Sequence, residues 1–226
     1  MKSGKEVKSF KYMSKHKFIA EVIDIVEVRD GAGDLLSLQS VLDVLRKTKN
    51  ISCLTLRFTF PPHLMRLPQD VRYRNLTLLS VNAPHSVVTP FLMTHPQLTD
   101  LTLGSCGAPS CALVDSPLPF IQSLTCPPGC VQGLISAGSR LTRLSLTHQA
   151  AEDATFPVSQ LFNFHVIQTS QTLTVLDISF VHSTSELLQR ISAAAPALIV
   201  LRLTESSFAV EVRFSGCDTN DYLLTK

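Results

Sequence analysis

The pattern apolar-x-x-apolar-x-apolar recurs seven times along the chain, as Ile51/Leu54/Leu56, Leu76/Leu79/Val81, Leu98/Leu101/Leu103, Ile121/Leu124/Cys126, Leu141/Leu144/Leu146, Leu173/Leu176/Ile178 and Leu198/Leu201/Leu203. Between middle residues the steps are 25, 22, 23, 20, 32 and 25 residues, a period that belongs to stacked repeat architectures. A degenerate copy is placed ahead of these at Ala20/Ile23/Ile25. Within each copy the second and third apolar residues are two apart, so a short strand turns both into the core and the residue between them outward. The intervening segments change to helical spacing, with Leu35, Leu38, Val41, Leu42 and Leu45 in one and Leu187, Leu188 and Ile191 in another. Asp34 is placed to cap the first, and Arg46 and Lys47 close its last turn; Ser183 to Glu186 reads as a capping box for the second, which Pro196 stops. A third helix is predicted from Ser86 to His95, with Val88, Phe91 and Leu92 on its apolar side and Pro90 shortening or delaying it.

Strands alternating with helices at this period predict an α/β fold: a leucine-rich repeat solenoid of seven or eight irregular repeats, with a curved parallel sheet inside and helices outside. No single repeat can bury its own core. A doubly wound α/β domain also alternates strand and helix, but it does not require a motif repeated position by position. The predicted organisation is an N-terminal arm over 1–17, the repeat domain over 18–207 and a strand-like C-terminal tail over 208–226, in which Phe208 to Phe214 alternates like a final edge strand.

The motif Pro-x-Leu-x-x-Leu-x-Leu at Pro96 to Leu103 and Pro196 to Leu203, echoed at Pro119-Phe120-Ile121, sets a proline where each helix gives way to a strand. In the third full copy Cys106 falls in the Asn/Cys slot of the leucine-rich pattern, where the other copies carry Thr59, Pro84, Gly129, Gln149, Val181 and Ser206. With these features the chain resembles the degenerate leucine-rich repeat region of F-box proteins, particularly the divergent fungal kind, across most of its length. The resemblance implies a substrate-recognition array of a ubiquitin ligase subunit. No F-box is recognisable, because 17 residues ahead of the repeats are too few for that helical module. Docking of a ligase adaptor is therefore expected only if an F-box lies upstream in a longer parent chain.

Composition narrows the classes. The 226 residues are 45% apolar and 17% charged, which supports a packed core and excludes a disordered chain. The longest apolar run, Ala193 to Leu201, is too short to span a bilayer and contains Pro196. With no leader segment at the start, the expectation is a cytoplasmic or nuclear protein with reduced thiols. Of the 20 basic residues, Lys2, Lys5, Lys8, Lys11, Lys15 and Lys17 lie in the arm beside Glu6, leaving 14 basic and 17 acidic residues in the body. The arm reads as a solvated extension, with binding to an anionic surface as an alternative.

The outward strand positions form a mostly hydroxylated row, Thr55, Ser80, Thr102, Thr125, Ser145, Asp177 and Arg202. Charges punctuate it and its flanks. Arg57, Asp100, Arg143, Asp177 and Arg202 are accordingly the expected contacts for another protein on the concave face, where charged groups set orientation and specificity. Three scattered arginines and no tryptophan do not make a nucleic-acid surface. Cys106, Cys111, Cys126 and Cys130 offer a zinc-site alternative, two loose thiolate pairs with a Pro127-Pro128-Gly129 turn inside the second. Against it, Cys106 fills a repeat slot and Cys126 a buried strand position, so no metal or other cofactor is the leading expectation. His85, His148 and His182 follow strands, on the loop rim. No nucleophile elbow, phosphate loop or HExxH pair is present, and the expected function is non-enzymatic protein binding.

Overall fold

The computed structural model describes residues 24–29, 38–57, 67–104, 106, 111, 113, 118–135, 140–147, 167, 171–180, 186–205, 208–214 and 222–225. The N-terminal arm, Asp34 and most of the Ser183–Glu186 box lie outside them, as do His148 and His182. The chain divides into two compact units, Met1–Ala112 and Leu113–Lys226.

The first unit runs β1 (Ile25–Arg29), α1 (Leu38–Lys47), β2 (Cys53–Arg57), β3 (Leu78–Val81), α2 (His85–Thr94) and β4 (Asp100–Leu103). Its four strands pair in parallel in chain order. Register stacks the repeat on itself: Val26, Leu54, Leu79 and Leu101 align, and so do Val28, Leu56, Val81 and Leu103. All eight are buried. The degenerate first copy is shifted from its predicted frame, since Ile25 is 67% exposed and the core pair is Val26 and Val28. Two overlapping frames fit that stretch of sequence; pairing with β2 selects the one that puts valines beside Leu54 and Leu56.

In the second unit β5 (Ser123–Cys126) leads through a 3-10 turn, Pro128–Cys130, into the short α3 (Val131–Leu134). β6 (Arg143–Leu146), β7 (Val175–Phe180), α4 (Glu186–Ala194) and β8 (Val200–Glu205) follow. β5 to β8 are parallel, with Leu124, Leu144, Leu176 and Leu201 aligned and fully buried. β9 (Phe208–Phe214) then reverses onto β8, and β10 (Tyr222–Thr225) reverses onto β9. The predicted final strand is therefore flanked on both sides, because a hairpin back from it supplies its second partner.

Two local devices space the repeats. The first is a turn with proline one residue after its start: Leu98 N–H donates to His95 O (3.3 Å) across Pro96, Ile121 to Leu118 (3.3 Å) across Pro119, and Leu198 to Ala195 (3.1 Å) across Pro196. Proline suits that position because its φ is already set for it. The second is a hydroxyl ladder at the strand entrances. Thr77, Thr99, Thr142 and Thr174 each donate both the backbone N–H and the side-chain hydroxyl to the carbonyl of the equivalent residue one copy earlier, at Ser52, Thr77, Gln122 and Thr142.

Where their side chains are described, the helices bury the predicted faces; Leu35 lies outside the described residues, as do the side chains of Leu38, Leu187 and Leu188. Val41, Leu42 and Leu45 of α1 are buried, with Val44 added, and Val88, Phe91 and Leu92 of α2 are inaccessible. α2 keeps Pro90 inside its span and opens one residue early, at His85. No helix among the described residues is long and apolar enough to cross a membrane.

Candidate functional site

Among the described residues, a row of outward strand side chains and a histidine–cysteine cluster are candidate sites.

The row follows from register. Thr55, Ser80 and Thr102 align across β2 to β4, and Ser145, Asp177 and Arg202 across β6 to β8; each is half-exposed, and all but Arg202, which precedes half-buried Leu203, lie between two buried residues. Of the predicted contacts in the first unit, Arg57 is exposed at the end of β2, and Asp100 accepts a hydrogen bond from the Thr99 hydroxyl at 2.7 Å. In the second unit Arg143 is exposed, while Arg202 reaches Asp177 across β7 and β8 at 3.4 Å. That pair is partly solvated and contributes at most about 1 kcal/mol. It orders two charges on an otherwise small polar surface.

The cluster forms where β3 and β4 end. His85 opens α2, four residues after the last core residue of β3; Cys106 comes three residues after that of β4, and Cys111 follows in the next loop. A nitrogen of His85 and the sulfurs of Cys106 and Cys111 all lie within 4.8 Å of one another. The imidazole is held at both ends: Nε2 is 3.3 Å from the Gly104 carbonyl and Nδ1 is 3.2 Å from the Cys111 sulfur. A carbonyl only accepts, so Nε2 carries the proton and Nδ1 presents its lone pair to the thiol. Burial holds the His85 pKa below the ordinary value of 6.5, against the opposing Gly104 hydrogen bond, so the ring is neutral at pH 7.

Space around position 104 requires glycine. A Cβ there would meet Asn82 Cα at 2.8 Å and Cβ at 2.9 Å, both close to the neighbouring backbone. Gly104→Ala is expected to cost about 1 to 3 kcal/mol by overpacking, read as a lower melting temperature; an unchanged value would show that Asn82 yields freely.

Of the four cysteines named from spacing, Cys106 and Cys111 meet in this cluster. Cys126 is a fully buried core residue of β5, aligned with Leu146, and Cys130 is buried in the 3-10 turn of the second unit. Cys53 is half-exposed at the start of β2. His85 was legible only as a residue following a strand. The signal that links it to cysteine is its repeat slot, since His85, Cys106 and Cys130 follow Val81, Leu103 and Cys126 by four, three and four residues.

Basic side chains in the first unit gather away from the strands. A groove of about 1030 Å³ is lined by Arg46, Lys49, Arg72 and Arg74, together with Asp70, which pairs with Arg46 at 3.2 Å. No family model and no curated protein matches the chain.

Proposed function

We propose that the chain is a protein-binding repeat scaffold of leucine-rich repeat type, acting through the outward strand row. The observation that carries this reading is the unbroken register within each unit. It sets a buried ladder beside a parallel ladder of small hydroxyls and ordered charges. A binding surface built this way is rigid because each contact residue lies on a strand next to a buried core residue, so little backbone freedom is lost on association. Arg57 and Asp100 in one unit, and Arg143, Asp177 and Arg202 in the other, supply orientation and specificity. Delivery of a bound protein to a ubiquitin ligase is the corresponding cellular role.

Affinity capture from native extract, read by mass spectrometry, tests the reading with the intact chain and with an Arg143→Ala/Asp177→Ala variant. Partners specific to the wild type should be retained about tenfold less by the variant, with a melting temperature close to that of the wild type. Equal retention by both removes the strand row from the function. Co-recovery of adaptor and cullin subunits supports the ligase role.

A further inference from the structure

We infer that His85, Cys106 and Cys111 form a structural zinc site that ties the start of α2 to the loop after β4. The donor set is the first argument. One neutral imidazole nitrogen and two sulfurs are the ligands zinc selects for structural sites, and none of the three competes as a hard oxygen donor.

Geometry is the second. Around a tetrahedral zinc, ligand atoms of this type stand about 3.6 to 3.8 Å apart. The His85 Nδ1 to Cys111 Sγ separation is 3.2 Å, and the whole set lies within 4.8 Å, so side-chain adjustments of about 1 Å bring the three to bonding distance. The third argument is the outer contact. Ligand histidines usually donate their remaining N–H to a carbonyl or carboxylate, which fixes tautomer and ring plane, and Gly104 provides that carbonyl here. The backbone of Gly104 is in turn fixed against Asn82, where a larger residue would not fit. Two of the ligands, His85 and Cys106, follow the last core residues of adjacent strands by four and three residues, and Cys111 lies five residues beyond Cys106. Loss of two protons accompanies zinc binding, one from each thiol, since the ligating form is the thiolate.

The full-length chain, purified under reducing conditions, is assayed for zinc by elemental analysis, stripped with chelator and titrated with zinc and with Co(II). The expected result is about one metal per chain and a thiolate-to-cobalt charge-transfer band with the intensity of at least two sulfurs. Cys111→Ser is the decisive variant, because Cys111 is half-exposed and its replacement leaves the core intact. It should weaken zinc binding at least about tenfold with an unchanged circular dichroism spectrum. His85→Gln should do the same, and Cys53→Ser should not. A wild-type chain that binds no metal, a cobalt spectrum without thiolate intensity, a Cys111→Ser variant that binds as tightly as the wild type, or a Cys106–Cys111 disulfide in the reduced preparation would each overturn the site.

Discussion

Replacing Leu101 or Leu176 with alanine is expected to cost about 2 to 5 kcal/mol. Both side chains are essentially inaccessible, Leu101 aligned with Leu79 and Leu176 between Leu144 and Leu201. Truncation removes three carbons from a column whose aligned neighbours, Leu79 for Leu101 and Leu144 and Leu201 for Leu176, are themselves leucines held by strand pairing. The backbone cannot close the gap without breaking register, so the cavity persists and adds to the lost transfer energy. Denaturant unfolding monitored by circular dichroism measures the effect. Thr102→Ala, one residue along the same strand and facing the other way, should change stability by no more than about 0.5 kcal/mol. Equal effects of Leu101→Ala and Thr102→Ala would refute the inward register.

Acid is expected to destabilise the first unit through His95, and His95→Ala to cost about 3 kcal/mol or more. The imidazole is inaccessible and stacks on Phe91 at 4.2 Å and on Tyr73 at 5.6 Å between ring centroids. Its Nε2 accepts the Tyr73 backbone N–H at 3.0 Å, and its Nδ1–H donates to the Phe91 carbonyl at 2.8 Å. Tyr73 is pinned in addition by its hydroxyl, which donates to the Leu45 carbonyl at 2.8 Å, and by Gln97, whose amide donates to the Tyr73 carbonyl at 2.8 Å. Alanine would leave a cavity and an orphaned Tyr73 N–H. Protonation does comparable harm, because a second ring N–H would face that N–H, donor against donor.

Burial, reinforced by the charge of Arg72 and opposed by the Phe91 hydrogen bond, holds the His95 pKa below 6.5. The unfolded chain therefore binds the extra proton first. Stability is full above about pH 6.5 and falls as pH drops from there through the folded-state pKa. His85 is lowered in the same direction. The contribution of His95 is thus the difference between the wild type and His95→Gln, whose amide oxygen can accept the Tyr73 N–H without titrating. Melting temperatures measured between pH 7.5 and 5 should fall less steeply for the variant; parallel curves would place the acid sensitivity elsewhere.

Much of this architecture was legible in the order of residues. The apolar triplets located β2 to β8, and their two-residue spacing named the inward side chains, because a strand offers only two faces and a register slip would expose every leucine at once. The prolines at positions 96, 119 and 196 marked the turns, since a residue without a backbone N–H and with φ already set suits that corner. What misled was degeneracy. Ala20/Ile23/Ile25 satisfies the pattern as well as a frame three residues later, and only pairing with β2 decides for Val26 and Val28.

The candidate sites divide differently. Cys106 and Cys111 were visible from their spacing, and Arg57, Asp100, Arg143, Asp177 and Arg202 from their strand positions. The entry of His85 into the cluster was not, because it is 26 residues from Cys111 and joined to it only through space. The same holds for His95 with Tyr73, 22 residues apart, and for the threonine ladder, whose hydroxyls look like ordinary strand-flanking residues. By itself the sequence determined the periodic core, the turns and the outward row, since each depends on local spacing and on the two faces of a strand. Only the tertiary structure decided which imidazole meets which thiol and which buried ring holds which N–H. Those contacts depend on the distance between successive repeats, set by strand pairing and side-chain packing together.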